Sequence, residues 1–337
     1  MSIFKTPNFD LVCIGDIVVD DFIRLKEARI EKARDGSNRQ ELCLSFGEKL
    51  PYESELLVPA VGNSPNAATA GARLGLETAL VTNLGRDEHG RMCLAKLREN
   101  GVDTGFVRAH PGLKTNNHFV LWYKDDRTIL IKHEEFPYEL PAIGKPKWVY
   151  LSSLGEHSLP FHDIIAGYLD AQPEIKLAYQ PGTYQLRFGP LKTARILRRA
   201  EYFFCNREEA RAFLDTRDNE PRRLAERIAD LGPRVVFITD GPAGAYIYSA
   251  KARELFFMPI YPDPKPPVSR TGAGDAFSST VTAGAILGLT LEESLKWAMI
   301  NSMSVVQQVG AQAGLLTPEK IKEYLAKAPG DFGPKTI

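Results

Sequence analysis

The stretch Arg270-Thr-Gly-Ala-Gly-Asp-Ala-Phe277 carries the densest chemical signal in the chain. Glycines at 272 and 274 permit unusual backbone angles and leave no side chain in the way of an approaching ligand. A helix beginning near Asp275 would aim its free amides and positive dipole end at the same space, which makes an anion site suited to a phosphate. A carboxylate at that point repels an anion, so phosphate binding alone does not account for it. It is accounted for if Asp275 faces an acceptor hydroxyl and takes its proton as that oxygen attacks phosphorus. The same residues would also make an ordinary helix start, which aspartate favours electrostatically. Taken alone, the stretch leaves both readings open.

The chain has no Gly-x-x-x-x-Gly-Lys-Ser/Thr loop and no Gly-x-Gly-x-x-Gly after its first strand, so the common P-loop and dinucleotide readings lose support. What must position the glycine turn is a series of short apolar runs. They fall at Leu11–Gly15, Thr78–Thr82, Trp148–Leu151, Ile175–Tyr179, Tyr202–Cys205 and Val235–Thr239. Between several of them lie helix-like stretches at Asn66–Leu74, Gly90–Asn100, Leu191–Arg199, Arg207–Leu214 and Arg222–Leu231. Such alternation predicts an α/β layer fold with helices on both faces of a sheet. Ala245–Tyr248 and Glu254–Met258 read as antiparallel strands, and Asp275–Leu287, Leu291–Gln308 and Pro318–Ala326 as helices.

Two segments fit the core poorly. Residues 22–57 are charge-rich, with Arg24 to Arg34 followed by a turn at Asp35-Gly36, and Lys26–Arg34 reads as helix. Residues 113–131 contain Phe119–Tyr123, the turn Lys124-Asp125-Asp126-Arg127 and Thr128–Ile131, which predicts a hairpin. They form either a small lid or two surface excursions. The core is then 1–21, 58–112 and 132–330, with 331–337 a loose tail.

Composition sets the remaining bounds. At 337 residues and 44% hydrophobic content the chain can bury a large core. Lys plus Arg and Asp plus Glu both total 42, so no bulk basic field draws nucleic acid or an anionic membrane. The four cysteines are widely spaced with no Cys-x-x-Cys, which argues against structural zinc and disulfides and fits a reducing cytosol. Met1 to Asp10 lacks a signal-peptide pattern and no apolar run approaches the ~20 residues of a membrane helix, so a cytoplasmic protein is expected.

The late motif Ser269-Arg-Thr-Gly-Ala-Gly-Asp275 resembles the Asp-Thr-x-Gly-Ala-Gly-Asp signature of the ribokinase-like carbohydrate kinases, also called the phosphofructokinase B family. Val61-Gly-Asn-Ser-Pro-Asn-Ala67 with Ala72-Arg-Leu-Gly75, Asn83 to Gly90 and Leu97 to Thr104 are similar to further family motifs, in the same order. The resemblance extends to Gly310-Ala-Gln-Ala-Gly-Leu-Leu-Thr317. It implies a doubly wound, mostly parallel sheet with a small β lid, and a kinase using ATP and Mg2+ on a sugar or sugar derivative. Asp275 would be the general base, and the amides of Gly272, Ala273 and Gly274 the anion hole. Asp20, at the end of the first-strand segment, would accept hydroxyl hydrogens of the substrate, helped by Gly62, Asn63 and Asn66. Asn206 and Glu209 match the family's Asn-x-x-Glu motif associated with magnesium and its waters, the glutamate acting indirectly, and the same spacing is a capping box. Thr239, Gly241 and Gly244 match the turn beside the nucleotide, and Asn301 lies in the helix that borders the adenine. Pairing of two subunits through the lid is implied by analogy.

Three departures qualify these expectations. Ser269 stands where the signature has an aspartate that helps organise a monovalent cation, which argues against potassium activation. Arg270 replaces the usual threonine and is suited either to a phosphate, bidentately, or to a surface ion pair. Val61 replaces the first glycine of a pair, which narrows the turn beside the substrate. A nucleoside kinase of the same fold, or a silent sugar sensor, are the alternatives.

Overall fold

The computed structural model describes residues 8–34, 40–124 and 126–337. The expected turn at Asp35-Gly36, and Asp125 of the hairpin turn, lie outside the described residues. The chain begins with β1 (Leu11–Ile14) and then leaves the core through β2 (Val18–Leu25), β3 (Arg29–Lys32), β4 (Gln40–Cys43) and β5 (Tyr52–Val61). It returns through α1 (Asn63–Arg73), β6 (Thr78–Gly85), α2 (Glu88–Glu99) and β7 (Val107–His110), and leaves again as β8 (Asn116–Tyr123) and β9 (Asp126–Lys132). Alternation follows: β10 (Trp148–Leu151), α3 (Leu159–Asp170), β11 (Lys176–Tyr179), α4 (Thr183–Lys192), α5 (Ala194–Arg199), β12 (Ala200–Asn206), α6 (Arg207–Phe213), α7 (Pro221–Ala229) and β13 (Val235–Thr239). Last come β14 (Ala245–Ser249), β15 (Glu254–Met258), α8 (Ala273–Ile286), α9 (Leu291–Val306), α10 (Pro318–Leu325) and β16 (Lys335–Thr336).

β1 is apolar at every position and wholly buried because helices cover both of its faces. Leu11 and Cys13 pack with α1, α2, α8, α9 and α10 residues such as Ala67, Leu97, Phe277, Leu295 and Ile321. Val12 and Ile14 face the other layer, with Phe161, Leu197, Phe213 and Leu224. The large sheet runs β16-β15-β14-β13-β12-β11-β10-β1-β6-β7. From β13 to β7 every pairing is parallel, and the three strands beyond β13 are antiparallel. The order reverses at β1, which has β6 on one side and β10 on the other, and such a switch opens a crevice at the carboxyl ends of the strands.

The lid is a four-stranded sheet ordered β5-β2-β8-β9, with β2 and β8 parallel, beside a β3-β4 ribbon. Lys26–Arg34, expected as helix, contains strand β3 instead. Arg29–Lys32 is exposed throughout and pairs with Gln40–Cys43, and it is this cross-strand pairing that fixes its conformation. The lid strands also reach further than expected, with β2 starting at Val18 and β5 running to Val61. Asp20 accordingly sits within a lid strand and not at the end of the first core strand. The expected helix Leu191–Arg199 is divided. Leu191 and Lys192 end α4, after the Gly189-Pro190 kink, Thr193 leaves helical geometry at φ -101°, and α5 follows as a separate helix. The tail is ordered at its end, where Lys335–Thr336 pairs with β15 and Phe332 is buried.

Candidate active site

Helix α8 begins with Gly272 as its N-cap at φ 83°, and a Cβ there would lie 2.4 Å from that of Ala311, so only glycine fits. No side chain caps this end. The first intrahelical donor is the Ala276 amide to Gly272 O at 2.8 Å, which leaves the amides of Ala273, Gly274 and Asp275 aimed outward. Gly274 is exposed, with open space where a side chain would be. Of the amides expected to meet an anion, those of Ala273 and Gly274 are thus free of intrahelical partners.

Asp275 is partly buried and held by three amides. Asn63 Nδ2 donates to Oδ1 at 2.8 Å, Asn66 Nδ2 to Oδ2 at 2.7 Å, and Gln180 Nε2 to Oδ1 at 3.0 Å. Burial pushes its carboxyl above the usual aspartate range. The amides of Asn66, Gln180 and Asn63 pull it back, and the nearby charge of Asp20 pushes it up again. Gly62 caps α1 at φ 118°, which starts the helix so that both asparagines turn toward Asp275. In this geometry Asn63 and Asn66, read from the sequence as substrate contacts, are occupied with the carboxylate. Gln180, which the sequence reading missed, follows β11 at the carboxyl edge. Its Oε1 accepts from the hydroxyls of Tyr150 and Ser278, so its NH2 end must face Asp275.

Asp20, on β2, is near enough for its charge to act on Asp275. Its Oδ1 lies 3.4 Å from His118 Nδ1, and His118 Nε2 lies 3.4 Å from His133 Nε2. His133 Nδ1 in turn meets Asp16 Oδ2 at 3.2 Å. Tyr138 donates to Asp16 at 2.9 Å, its phenol kept protonated by burial and by the Asp16 charge. Two of the six histidines thus line the lid wall, a concentration in residues 113–133 that was the one available sequence signal.

At the end of β12, Asn206 and Glu209 form the capping box, with Asn206 Oδ1 accepting from Glu209 N at 2.8 Å and Glu209 Oε2 from Asn206 N at 2.8 Å. Burial raises the Glu209 carboxyl, the Asn206 amide opposes this, and the Asp275 charge raises it further. Among the described residues no cluster of three or more His, Cys, Asp or Glu could hold a metal ion.

Thr239 ends β13 beside Asn206, and Gly241 and Gly244 form the following turn at φ 53° and 112°. Asp240 in that turn is paired with Arg207. Asn301 is fully buried, donating to Thr280 Oγ1 at 2.8 Å and accepting from Leu316 N at 2.9 Å. Buried and with both amide ends used inside the core, its side chain does not open toward solvent, where an adenine would approach. Arg270 is exposed, and with Ser269, Arg127 and Trp122 it lines a cavity of about 20 Å³ where the lid approaches the glycine turn.

The model of the pfkB family carbohydrate kinases matches residues 9–318. Ribokinase of Bacillus subtilis (strain 168) is 28% identical over 287 residues, covering 83% of this chain and 92% of that protein. The 5-dehydro-2-deoxygluconokinase of Bacillus licheniformis is 27% identical over 295 residues, 79% of this chain and 86% of that one. Among solved structures, Arabidopsis thaliana ribokinase complexed with ribose and ATP superposes with a TM-score of 0.79 over 95% of this chain and 99% of that one, at 19% identity. No helix among the described residues is long and apolar enough to cross a membrane.

Proposed function

Since the chain belongs to the pfkB family of carbohydrate kinases, we propose that it transfers the γ-phosphoryl group of ATP to a hydroxyl of a small sugar or sugar derivative, with Asp275 as general base. The observation that carries this reading is the meeting, at one helix start, of outward-facing amides with a partly buried carboxylate in electrostatic contact with Asp20. The substrate hydroxyl, held by Asp20, presents its proton to Asp275, and the attacking oxygen lies in line with the terminal phosphate. The amides of Gly272, Ala273 and Gly274 serve the charge that grows on the transferred group. Magnesium, when bound with ATP, neutralises phosphate charge. Asn206 and Glu209 orient its waters, Thr239, Gly241 and Gly244 line the nucleotide, and Arg270 is free to reach a phosphate.

The lid supports a homodimer. Leu56, Ile129 and Ile131 share the sheet face of Asp20 and His118 by register, and each is more than two-fifths exposed. Light scattering is expected to give twice the chain mass. ATP turnover against ribose, fructose, 2-keto-3-deoxygluconate, phosphosugars and nucleosides tests the function: one sugar is expected to be preferred. A preference for nucleosides would replace the sugar assignment, and folded protein that turns over none would remove it.

A further inference from the structure

Asp275 is reached by a chain of hydrogen bonds that begins far from the cleft. Arg73, in the last turn of α1, donates Nη1 to the backbone carbonyls of Gln312 at 2.8 Å and Leu315 at 3.0 Å, and Nη2 to Asn100 Oδ1 at 3.5 Å. Asn100 follows α2, and its Nδ2 donates to Gln312 Oε1 at 3.2 Å. Gln312 Nε2 donates to Ala60 O at 2.7 Å and to Asn66 Oδ1 at 2.9 Å. Asn66 Nδ2 completes the path to Asp275 Oδ2 at 2.7 Å.

Every link in this path points the same way, and the ends dictate the direction. A guanidinium can only donate and an ionised carboxylate can only accept. Turning over any one amide would set two acceptors or two donors against each other. Gln312 and Asn66 are 5% and 4% exposed, so water cannot repair such a mismatch. In a dry setting successive hydrogen bonds also polarise one another, which strengthens the last donor of the series. Gln312 has a second task. Ala60 holds φ 62°, uncommon for a residue with a side chain, and the bond from Gln312 pins its carbonyl just ahead of the Gly62 turn.

We propose that Gln312 is a positioning residue for the phosphoryl-transfer step, fixing through a one-way amide relay from Arg73 the face that Asn66 turns to Asp275. The inference rests on the reading of Asp275 as the base. Gln312 is buried and its side-chain amide bonds only to Asn100, Ala60 and Asn66 among the described residues.

Replacing Gln312 with glutamate supplies an acceptor where a donor is needed. Asn66 must then turn its carbonyl toward Asp275, and the carboxylate holds its proton more tightly. In Gln312→Glu, kcat is expected to fall about tenfold or more, its acid limb to move to higher pH, and KM for ATP to stay within about twofold. Gln312→Met, which removes the donor without reversing the amide, is expected to show a smaller shift in the same direction and carries the same reading if the glutamate variant fails to fold. Folded variants whose acid limb coincides with that of the parent, with only thermal stability reduced, would overturn the relay. Asp275→Asn, measured alongside, separates the two failures. If it is inactive while the Gln312 profiles do not move, only the relay falls. If it keeps turnover, the base assignment falls and the relay with it.

Discussion

Asp275 and Asp20 lie near enough for the charge of one to act on the other, yet they are held by opposite kinds of partner. The floor surrounds Asp275 with the carboxamides of Asn63, Asn66 and Gln180, groups whose charge does not change with pH. The lid wall surrounds Asp20 and Asp16 with two imidazoles and a phenol. The floor's partners come from α1 and the edge of β11 in the core, whereas the wall's come from lid strands and the segment after them. Under the proposed function Asp275 must keep one geometry through every turnover, and neutral, singly oriented amides supply that. The lid wall is held by looser contacts, its His118–His133 pair being a long 3.4 Å.

The strongest way to break this contrast is Asp275→Asn, which keeps the shape and removes the base. A loss in kcat of about 10²- to 10⁴-fold is expected, with circular dichroism confirming the fold; retained turnover would make the floor a mere scaffold. The pH profile adds a signed test. Burial raises the Asp275 pKa above 3.8, and the base works only when ionised, so activity is complete above the raised pKa and lost as pH falls through it. The acid limb of kcat should therefore lie higher than an ordinary aspartate would give. Gly272→Ala comes next. It forces a side chain into φ 83° and onto Ala311 at 2.4 Å, so about 1–3 kcal/mol of stability should be lost along with most activity. A variant melting like the parent would show that the turn has room.

The floor and the lid also differ in how far the sequence discloses them. Asp275, Gly272 and Gly274 are contiguous, and the amino-acid types alone suggest an anion site beside a base. The alternating apolar runs likewise disclose the sheet, because a strand buried on both faces cannot be polar. Gln180 and Gln312 are hidden. Each is a single glutamine whose meaning comes from partners 95 and 246 residues away. Lys26–Arg34 misleads for a related reason: a charged run reads as helix by local preference, and only pairing with Gln40–Cys43 makes it a strand. Asn301 shows the reverse error, a polar residue that resemblance assigns to a ligand and that packing places between α8 and Leu316.

Two smaller effects sharpen the lid side. Asp20→Asn leaves a weaker, neutral acceptor, so KM for the sugar should rise about 10- to 100-fold with kcat far less affected. A purely kcat defect would move Asp20 to the chemical step. His118→Gln, which keeps a polar group beside Asp20 but removes the ring contact with His133, should raise the same KM only a few-fold. An effect as large as that of Asp20→Asn would show the lid wall to be as tightly organised as the floor, and the contrast would fail.

The smallest effect tests where floor and lid meet. Arg270 is exposed, and among the described residues no carboxylate is paired with its guanidinium, so its removal should not alter the melting temperature. If it meets a phosphate of the nucleotide across solvent, the contact is worth only about 0.2–1 kcal/mol and is screened by salt. Arg270→Ala should then raise KM for ATP about two- to fivefold at low ionic strength, and the difference should shrink toward none at high salt. A salt-independent rise in KM for the sugar would instead assign Arg270 to the lid side, beside Arg127 and Trp122, as part of the wall that closes over the acceptor.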